Sequence, residues 1–460
     1  MDNYVVILGA GESGCGAALL AKAKGFKVFV SDNGTIQDRY RRQLIEGQIP
    51  FEENKHSEEK ILSASEVIKS PGIPEPVDIV QKCRNKGISV ISELEFAARY
   101  TKAKLIAITG TNGKTTTTLL THHILKHCGI KAGLAGNIGH SLAKQVIDDP
   151  YDYYVVEVSS FQLDTMFQFR ANIAVILNIT KDHLNRYEND FEQYVKSKFR
   201  ITQNMTDEDC LIYFADDEVI TSEMKRHQLE AARFAVSMAR HNNPGAFLDD
   251  DKIHFNIKSP GEDASIEISV DDIALQGPHN MINAMAASLA ALLCDVSLSD
   301  LVEALGSFKN AAHRLEYLGT IDGVEFVNDS KATNVDAVFY ALESYEQPIV
   351  WIAGGVDKGN NYQSIMQVVS GKVKALICLG LDNSPLLNAF QEVVPECREA
   401  DNMQYAIEQA IEAASPGDVV LLSPACASFD LFKNYQERGN QFRQVVASKK
   451  KESITEALAV

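Results

Sequence analysis

The residues best suited to chemistry in this chain begin at a short glycine turn. Residues 107–120 read AITGTNGKTTTTLL, in which an apolar run leads into glycines, a lysine and a run of threonines. The common phosphate-binding loop has four residues between its first glycine and the Gly-Lys pair. Here only Thr111 and Asn112 separate Gly110 from Gly113. The turn is therefore either a shortened phosphate loop or an ordinary connection between a strand and a helix.

A shortened loop of this composition could still bind a polyphosphate. The backbone N–H groups of residues 111–115 could surround the phosphates, the Lys114 amine could reach their outer oxygens, and the Thr115 hydroxyl could bind Mg²⁺. The position of the turn after a strand, where α/β proteins bind ligands, favours this interpretation. The alternative is a helix N-cap followed by a lysine at the surface.

A carboxylate at the end of a second apolar run is a candidate for binding the metal of a nucleotide. Glu157 follows YYVV within DYYVVEVSS. An unpaired charge at the end of a buried strand is costly, so this side chain must find a cation or change its pKa. Nucleotide enzymes of the P-loop type place an acid for Mg²⁺ in this context. A lysine partner is the competing explanation.

Two further side chains carry little weight when they are judged by chemistry alone. His183 follows a third apolar run, in NITKDHLNRY. An isolated histidine is usually a surface or structural residue, and nitrogen is an unusual ligand for Mg²⁺. Lys198, in YVKSKFR, is by itself predicted to face solvent. Chemistry alone would assign neither residue to a site.

The first apolar run of the chain ends in another glycine turn. This turn reads GAGESG at residues 9–14, and Asp32 ends the next predicted strand. An acid about 20 residues after such a turn is typical of a dinucleotide-binding fingerprint, which taken alone favours a nicotinamide enzyme. In one alternative the glycines only permit close packing of strand and helix. In another, the helix N-terminus binds the phosphates of a different nucleotide.

Two polar turns follow apolar runs in the last third of the chain. NDSKATN (328–334) follows VEFV and gathers polar side chains in a predicted substrate site. SPACASFDLFKNYQERG (423–439) follows DVVLL, and its simplest explanation is a helix capped by Ser428. Cys426 lies in the same segment, but no histidine partner is evident in the sequence. A buried thiol is therefore expected there rather than a nucleophile.

Three successive α/β units position these turns. Apolar, β-branched runs alternate with helical patterns, which predicts parallel sheets covered on both faces. The predicted strands cover residues 4–8, 27–32, 104–110, 153–160, 171–180, 348–355, 373–380 and 418–425, and an Ala-rich helix is predicted at 279–293. The more polar stretch 207–275 is predicted to form an antiparallel flap in the second unit.

Composition predicts a cytoplasmic protein of two or three domains. The chain has 460 residues, 45% of them hydrophobic. Its 44 Lys and Arg against 62 Asp and Glu give a net charge of −18, which disfavours binding to nucleic acid. No apolar run approaches the roughly 20 residues that span a bilayer, and the start lacks the basic region of a signal peptide. The eight scattered cysteines indicate reduced thiols.

Taken together, these motifs resemble the Mur ligase family of ATP-dependent amide-bond-forming enzymes. The resemblance covers essentially the whole chain in the family's domain order. The motifs that carry it are GTNGKTT, EVSSFQL, the NxTxDHL element at 178–184, Lys198, GPHNMINAMAA, AAHRLE and NDSKATN. The short turn GTNGKT is similar to the family's own phosphate loop. NDSKATN and LSPACASFDLFKNYQERG are similar to the branch that adds D-glutamate, and the sequence lacks the DNPR-type motif of the branch that adds meso-diaminopimelate.

The resemblance implies an α/β fold of three domains. A Rossmann-like N-terminal domain (residues 1–97) would bind a UDP-linked substrate. A P-loop-type central ATPase domain (98–306) would bind ATP. A Rossmann-like C-terminal domain (307–460) would bind the amino acid.

The implied reaction adds D-glutamate to UDP-N-acetylmuramoyl-L-alanine through an acyl phosphate, in the synthesis of peptidoglycan precursors. The implied cofactors are ATP and two Mg²⁺ ions, and the implied partners are the two small-molecule substrates. The chain is expected to act as a cytoplasmic monomer that binds no nucleic acid and does not insert into a membrane.

Positions that match the family's motifs take the roles that the resemblance implies. The catalytic positions are Lys114, Glu157, His183 and Lys198. The metal-binding positions are Thr115, Glu157, His183 and Lys198, the last as an N-carbamate. The ATP-binding positions are Gly110, Thr111, Asn112, Gly113, Lys114, Thr115, Thr116, Asn280, Asn283, Arg314 and Asp329. The positions for the UDP substrate are Ser13, Gly14, Asp32, Asn33, Ser70, Pro71, Gly72 and Asn137. The positions for D-glutamate are Lys331, Thr333, Lys358, Ser428 and Tyr435. Asn33 and Tyr435 depart from the Thr and Phe that are common in the family.

Three other functions remain open from the sequence. Another ligase on the same scaffold, such as a folylpolyglutamate synthase or a different Mur enzyme, is disfavoured by the motifs of the third unit. An NAD(P)-dependent oxidoreductase would leave GTNGKTT and its acidic partner unexplained. A non-catalytic nucleotide-binding protein would bind ATP without releasing phosphate.

Overall fold

The computed structural model describes residues 3–182, 184–257, 266–275, 277–310 and 312–459, and within these ranges it contains three β-sheets. His183 lies outside the described residues. The chain divides into two compact units: residues 1–274 with 282–308, and residues 275–281 with 309–460. The first two sheets belong to the first unit and the third sheet belongs to the second.

The first sheet is parallel, and the N-terminal glycine turn follows its first strand. Its strands are β1 Tyr4–Leu8, β2 Lys27–Ser31, β3 Phe51–Glu52, β4 Glu66–Lys69 and β5 Ser89–Ser92, and the accompanying helices are α1 Glu12–Ala23, α2 Asp38–Glu46, α3 Glu58–Ile61, α4 Asp78–Asn85 and α5 Glu93–Ala98. The strand order is β3-β2-β1-β4-β5. The order reverses at β1, so the loops after β1 and β4 diverge and leave a crevice of the kind that binds ligands in open α/β sheets.

The second sheet has nine strands in the described residues and carries the phosphate-type loop. Its strands are β6 Lys104–Thr109, β7 Ala132–Gly136, β8 Tyr153–Glu157, β9 Ile173–Ile176, β10 Cys210–Phe214, β11 Ala232–Ser237, β12 Gly245–Asp249, β13 Lys252–Asn256 and β14 Ile266–Ser269. The helices of this part of the chain are α6 Lys114–His127, α7 Leu142–Val146, α8 Ser160–Leu163, α9 Phe191–Phe199, α10 Glu218–Met224, α11 Pro278–Leu292 and α12 Leu298–Ser307. The strand order is β14-β13-β12-β11-β10-β9-β6-β8-β7.

The antiparallel flap predicted for residues 207–275 is only partly correct. Strands β10 to β12 continue the parallel part of the sheet, because α10 returns the chain so that β11 runs beside β10 in the same direction. Only β12, β13 and β14 pair antiparallel. A two-residue turn between Asp249 and Lys252, with Asp250 at φ 51°, reverses the chain there. These strands extend the edge of the sheet.

The third sheet forms the centre of the second unit. Its strands are β15 Glu316–Ile321, β16 Val324–Asn328, β17 Ile349–Ala353, β18 Val373–Leu379, β19 Glu396–Ala400 and β20 Val419–Leu422, and the helices are α13 Val335–Glu343, α14 Met366–Lys372, α15 Ser384–Phe390, α16 Met403–Ala413 and α17 Tyr435–Ala459. The strand order is β15-β16-β20-β17-β18-β19, parallel except for the β15–β16 hairpin. Short 3₁₀ turns lie at Leu184–Arg186, Arg200–Thr202, Val270–Asp272 and Tyr362–Ile365.

The helix predicted to begin at Ser428 begins later. Residues 425–433 form turns, and the helix starts at Tyr435. The Asn434 side chain accepts a hydrogen bond from the Glu437 N–H at 2.8 Å, so asparagine provides the cap.

The predicted α/β class with three sheets is confirmed, and its strands are buried as parallel strands should be. In β1, Val5, Val6, Ile7 and Leu8 are at most 1% exposed, which requires cover on both faces of the sheet. One continuous apolar core extends from the first sheet to the second within the first unit. The domain bounds at residues 97 and 306 remain a prediction. Among the described residues, no helix combines the length and apolar character that crossing a bilayer requires.

Candidate active site

The loop after β6 has the backbone geometry of a phosphate-binding turn. Gly113 precedes the first residue of α6 and has φ 82°, a left-handed conformation that favours glycine. A Cβ atom at this position would lie 2.4 Å from Oδ1 of Asn283. The helix therefore starts at Lys114, immediately after the turn. The start of a helix directs N–H groups out of the helix, where anions bind.

The segment that follows β9 holds the loop in place. The Asn178 backbone oxygen accepts the Thr111 N–H at 2.8 Å, and its side chain accepts the Asn112 N–H at 2.7 Å and donates to the Asn112 carbonyl oxygen at 3.2 Å. Because the Thr111 and Asn112 N–H groups bind Asn178, the start of α6 is the better place for a polyphosphate. Asn178 begins the NxTxDHL element of the family resemblance but was given no role of its own; its place two residues beyond a buried strand was the available signal.

Two lysine amines converge on the carbonyl oxygen of Gly110. The Lys114 amine donates to it at 2.8 Å and also to the Thr111 carbonyl oxygen at 2.8 Å, and the Lys198 amine donates to it at 2.7 Å. The sequence-based prediction that Lys198 faces solvent is wrong, since this side chain is 1% exposed. It lies in the last turn of α9, with its amine 4.6 Å from the ring centroid of Tyr194.

The electrostatic surroundings of Lys198 favour a neutral amine. Burial lowers the pKa of Lys198 well below its ordinary value, and the nearby charge of Lys114 lowers it further. The carboxylates of Asp182 and Asp164 act in the opposite direction, but burial is the larger cause.

Glu157 lies where the sequence analysis expected a metal-binding carboxylate. It ends β8, which pairs with β6 so that Glu157 is opposite Ile108, two residues before the loop begins. It is 1% exposed, and its Oε1 accepts the side-chain N–H of Asn137 at 3.0 Å. Thr115 is likewise buried, in the first turn of α6.

The oxygen donors of this site fit Mg²⁺. Hydroxyl and carboxylate oxygens are the ligands that this hard cation prefers. Among the described residues no group of three or more His, Cys, Asp or Glu is arranged to hold a metal by itself. One carboxylate with one hydroxyl is the set found where phosphate oxygens and water complete the coordination shell.

Helix α11 contributes two buried asparagines predicted to contact ATP. The Asn283 side-chain oxygen Oδ1 accepts the Thr117 hydroxyl at 3.1 Å, which fixes the side-chain amide beside Gly113. Asn280 is 4% exposed on the same helix.

The loops after β1 and β2 are joined through Asp32. Its two carboxylate oxygens accept the N–H groups of Ala10 at 2.6 Å and Gly34 at 2.8 Å. The Ser70 hydroxyl, after β4, donates to the Gly9 carbonyl oxygen at 3.4 Å. Seven of the positions predicted for the UDP substrate follow strands of this sheet: Ser13 and Gly14 lie after β1, Asp32 and Asn33 after β2, and Ser70, Pro71 and Gly72 after β4. The eighth, Asn137, lies beside Glu157.

In the second unit, Asp329 lies immediately after β16. Its carboxylate accepts the Ser423 hydroxyl at 2.9 Å and the Leu315 N–H at 3.3 Å. Burial raises the pKa of Asp329 to about 7, against the opposing effect of Arg314 and these hydrogen bonds. At neutral pH this carboxyl group is therefore partly protonated.

Four of the predicted D-glutamate positions lie in loops after β16, β17 and β20, and the fifth, Tyr435, begins α17. The Lys331 amine lies 5.7 Å from the ring centroid of Tyr435. Ser428 is 2% exposed, whereas Lys358 is exposed and Thr333 is half-buried. Two cations with hydroxyl groups suit a dicarboxylate.

Arg438 holds these loops together, and the sequence analysis did not assign it. The side chain is 1% exposed and donates to the Ser330 hydroxyl at 3.0 Å and to the carbonyl oxygens of Ser330, Gly354 and Cys426 at 2.9 to 3.2 Å. Burial lowers its pKa to about 10. Cys426 is a buried thiol, as expected, and burial raises its pKa to about 11.

Comparison with known proteins identifies matching domains along most of the chain. The model of the Mur ligase MurD-like N-terminal domain matches residues 3–92, that of the Mur ligase middle domain matches residues 108–291, and that of the Mur ligase glutamate ligase domain matches residues 313–426.

Similar proteins cover the chain almost completely. The UDP-N-acetylmuramoylalanine–D-glutamate ligase of Cytophaga hutchinsonii is 52% identical over 448 residues, which are 97% of this chain and 99% of the relative. The enzyme of the same name from Porphyromonas gingivalis strain W83 is 49% identical over 96% of this chain and 98% of the relative. The solved structure of the MurF ligase of Thermotoga maritima in complex with ADP is similar in fold, with a TM-score of 0.60 at 13% identity over 94% of this chain and 99% of that one.

Proposed function

The chain belongs to the Mur ligase family, and we propose that it uses ATP to join D-glutamate to UDP-N-acetylmuramoyl-L-alanine in the synthesis of peptidoglycan precursors. The observation that carries this function is 49–52% identity to ligases of that name over nearly the whole chain. The phosphate-type loop, its buried acid and the cationic loops of the third sheet supply the chemistry that the reaction needs.

An amide cannot form directly from a carboxylate, because the anion repels an amine nucleophile and an oxide is a poor leaving group. A carboxylate oxygen of the substrate first attacks the γ-phosphorus of ATP, the bond to the bridging oxygen breaks, and ADP leaves. The amine of D-glutamate then attacks the carbonyl carbon of the acyl phosphate. The carbon–oxygen bond to phosphate breaks, phosphate leaves and the nitrogen loses a proton. The protein contributes mainly by orienting the reactants and compensating charge.

In this scheme Lys114 and the N–H groups at the start of α6 bind the β- and γ-phosphates. The Lys114 amine lies 2.8 Å from two carbonyl oxygens of this loop, which keeps its charge beside the loop that would bind the phosphates. Thr111, Asn112, Thr116 and Asn283 line or support the ATP site in the first unit. The ATP-binding roles of Asn280, Arg314 and Asp329 rest on their match to the family's motifs. Asn178 keeps the loop in the conformation that binds.

Thr115 and Glu157 would hold one Mg²⁺ ion, which supplies neutralisation of phosphate charge when it is bound. Lys198 and His183 would hold a second. A neutral amine is the form that adds to CO₂, giving an N-carbamate and a released proton, and burial favours the neutral form of Lys198. A carbamate oxygen is a suitable ligand for Mg²⁺, whereas an ammonium group is not.

The two organic substrates would bind at separate sheets. The crevice between β1 and β4 accepts the UDP moiety, with Ser13, Gly14, Asn33 and residues 70–72 at its edge and Asn137 nearer the reacting end. Lys331, Thr333, Lys358, Ser428 and Tyr435 bind D-glutamate. The proposal includes domain bounds at residues 1–97, 98–306 and 307–460. The protein would act as a monomer in the cytoplasm.

A four-way comparison of amino acids tests the function. Purified protein with ATP, Mg²⁺ and UDP-N-acetylmuramoyl-L-alanine is assayed for phosphate release with D-glutamate, L-glutamate, meso-diaminopimelate or L-lysine. We expect release with D-glutamate alone. Release with another amino acid would assign a different ligase, and intact ATP in all four reactions would overturn the function.

A further inference from the structure

Helix α5 connects the first two sheets through two buried carboxylates. Glu93 accepts the Ser141 hydroxyl at 2.6 Å and the Ala143 N–H at 2.7 Å. Glu95 accepts the N–H groups of residues 167, 168 and 169 at 2.8 to 3.1 Å. Both side chains are at most 3% exposed. The helix thus follows the last strand of the first sheet and binds two separate loops of the second.

The loop bound by Glu93 leads directly to Glu157. It runs from Asn137, which donates to Glu157 through both its side chain and its backbone N–H at 3.0 Å, to Ser141. Gly136, just before it, has φ 100°, and a Cβ atom there would lie 2.1 Å from the Glu157 carbonyl oxygen. The His140 N–H donates to the Leu134 carbonyl oxygen at 3.3 Å. The loop therefore has few ways to change shape between its two ends.

The same serine also contacts the helix that follows the N-terminal glycine turn. The Ser141 N–H donates to the Glu12 carboxylate at 3.3 Å. A Cβ atom on Gly16 would lie only 2.0 Å from the Ser141 hydroxyl oxygen, so the serine packs directly on α1. Glu12 precedes Ser13, one of the positions assigned to the UDP substrate. Ser141 therefore joins the loop that leads to Glu157 to the start of α1, beside a position proposed for the UDP substrate.

We propose that Glu93 is a positioning residue that, through Ser141, fixes the loop of residues 137–141 and so sets Asn137 and Glu157 relative to the start of α1. This inference rests on the proposed function, because it assigns the position of the metal-binding carboxylate relative to the UDP site. Glu93 touches no substrate in this scheme. Its effect is transmitted by a loop that is held at both ends.

The alternative is that Glu93 only stabilises the fold. A buried hydrogen-bonded carboxylate that joins two layers would lower stability when removed, whatever loop it binds. A stabilising role predicts a lower melting temperature with an unchanged response to Mg²⁺. A positioning role predicts that adding Mg²⁺ increases nucleotide affinity less in the variant than in the wild type.

The test compares Ser141→Ala with Asn204→Ala. Ser141→Ala removes the hydroxyl that donates to Glu93 and accepts the Lys144 N–H at 3.2 Å. Asn204→Ala is the matched control, since its side chain donates to the carbonyl oxygens of Phe167 and Phe169 at 2.9 Å, in the loop bound by Glu95. Calorimetry measures ADP affinity with and without Mg²⁺, and phosphate release gives kcat and KM for both nucleotide substrates.

For Ser141→Ala we expect the gain in ADP affinity on adding Mg²⁺ to fall about tenfold, the size typical of losing a group that orients a metal ligand. KM for the UDP substrate should rise as well. Glu93→Gln, which keeps an acceptor oxygen, should remain close to the wild type, and Asn204→Ala should change melting temperature alone. Wild-type Mg²⁺ dependence and kcat in Ser141→Ala would overturn the proposal, as would equal losses in Asn204→Ala. Because ADP binding needs no D-glutamate, failure of the ligation assay would overturn the proposed function without obscuring this result.

Discussion

At Lys198 a buried primary amine lies 2.7 Å from the carbonyl oxygen of Gly110. An ammonium group at this position would lose its hydration and face the charge of Lys114 nearby. Both effects favour the neutral amine, which has the lone pair that reacts with CO₂. The change would convert a cation that repels Mg²⁺ into an anion that binds it.

Replacing Lys198 with alanine should remove a proposed ligand of the second Mg²⁺ ion and leave the fold intact. We expect kcat for phosphate release to fall roughly 100-fold or more, the scale of losing one group that stabilises charge in the transition state. Lys196→Ala is the control, because Lys196 is exposed on the same helix. Bicarbonate should raise the activity of weakened Lys198 variants. Full activity of Lys198→Ala would refute the carbamate role.

Sequence context identified some of these residues and missed others for a physical reason. Lys114 and Glu157 lie at the ends of strongly apolar runs, so their places in the fold could be predicted. Lys198 lies on a helix whose inward face depends on tertiary packing, which no local pattern encodes. Chemistry alone therefore placed it in solvent, and only resemblance to a family gave it a role.

At the scale of elements, an asparagine lies beyond each end of β9, and the side chain of each binds the backbone of a neighbouring segment. Asn178 follows the strand and binds the backbone of Asn112 in the phosphate-type loop. Asn172 precedes the strand and accepts the Leu105 N–H at 2.9 Å, at the beginning of β6. The two side chains thus tie β9 to the segments at both ends of β6. Only one of these ends carries the proposed nucleotide site.

Asn178→Ala should weaken nucleotide binding more than it weakens the fold. Loss of two hydrogen bonds to the loop backbone, at a net value of about 1 kcal/mol each, would raise KM for ATP by roughly tenfold or more. Asn172→Ala provides the comparison, because it removes a similar bond at the far end of the strand. A normal KM for ATP in Asn178→Ala, or an equal increase in Asn172→Ala, would contradict this assignment.

The elements themselves were predictable where strands are long and apolar. Strands such as β1, β8 and β17 were found in the expected places. Strand β7 was not predicted, because its sequence AGLAG has the composition of a turn and becomes a strand only by pairing with β8. The directions of β10 and β11 depend on the crossover through α10. Pairing partners of this kind are set by the whole sheet.

For the molecule as a whole, the buried junction between the first two sheets makes stability depend on pH. Burial raises the pKa of Glu93 from its ordinary value of 4.5 to about 7, and the charge of Glu12 contributes in the same direction. The hydrogen bonds from Ser141, Leu142 and Ala143 oppose this shift. The folded protein therefore binds this proton more tightly than the unfolded chain does.

The free energy of unfolding should depend on pH because the folded protein binds this proton more tightly. The contribution of Glu93 is fully present below pH 4.5 and is lost as the pH rises to about 7, by roughly 3 kcal/mol in total. Urea unfolding of the wild type and Glu93→Gln from pH 5 to pH 8 measures it, since other titrations largely cancel in the difference. We expect the free energy of unfolding of the wild type to fall relative to that of Glu93→Gln up to about pH 7. Above that pH the difference between the two proteins should stay constant. A constant difference across this range would show that Glu93 titrates normally.

The close approach of Gly136 to β8 has a consequence for resistance to inhibitors. Any side chain at this position would meet the Glu157 carbonyl oxygen and force β7 away from β8. A compound bound against this stretch of main chain would therefore contact a surface that a single codon change could not reshape without disturbing the adjacent Glu157, the proposed metal-binding carboxylate.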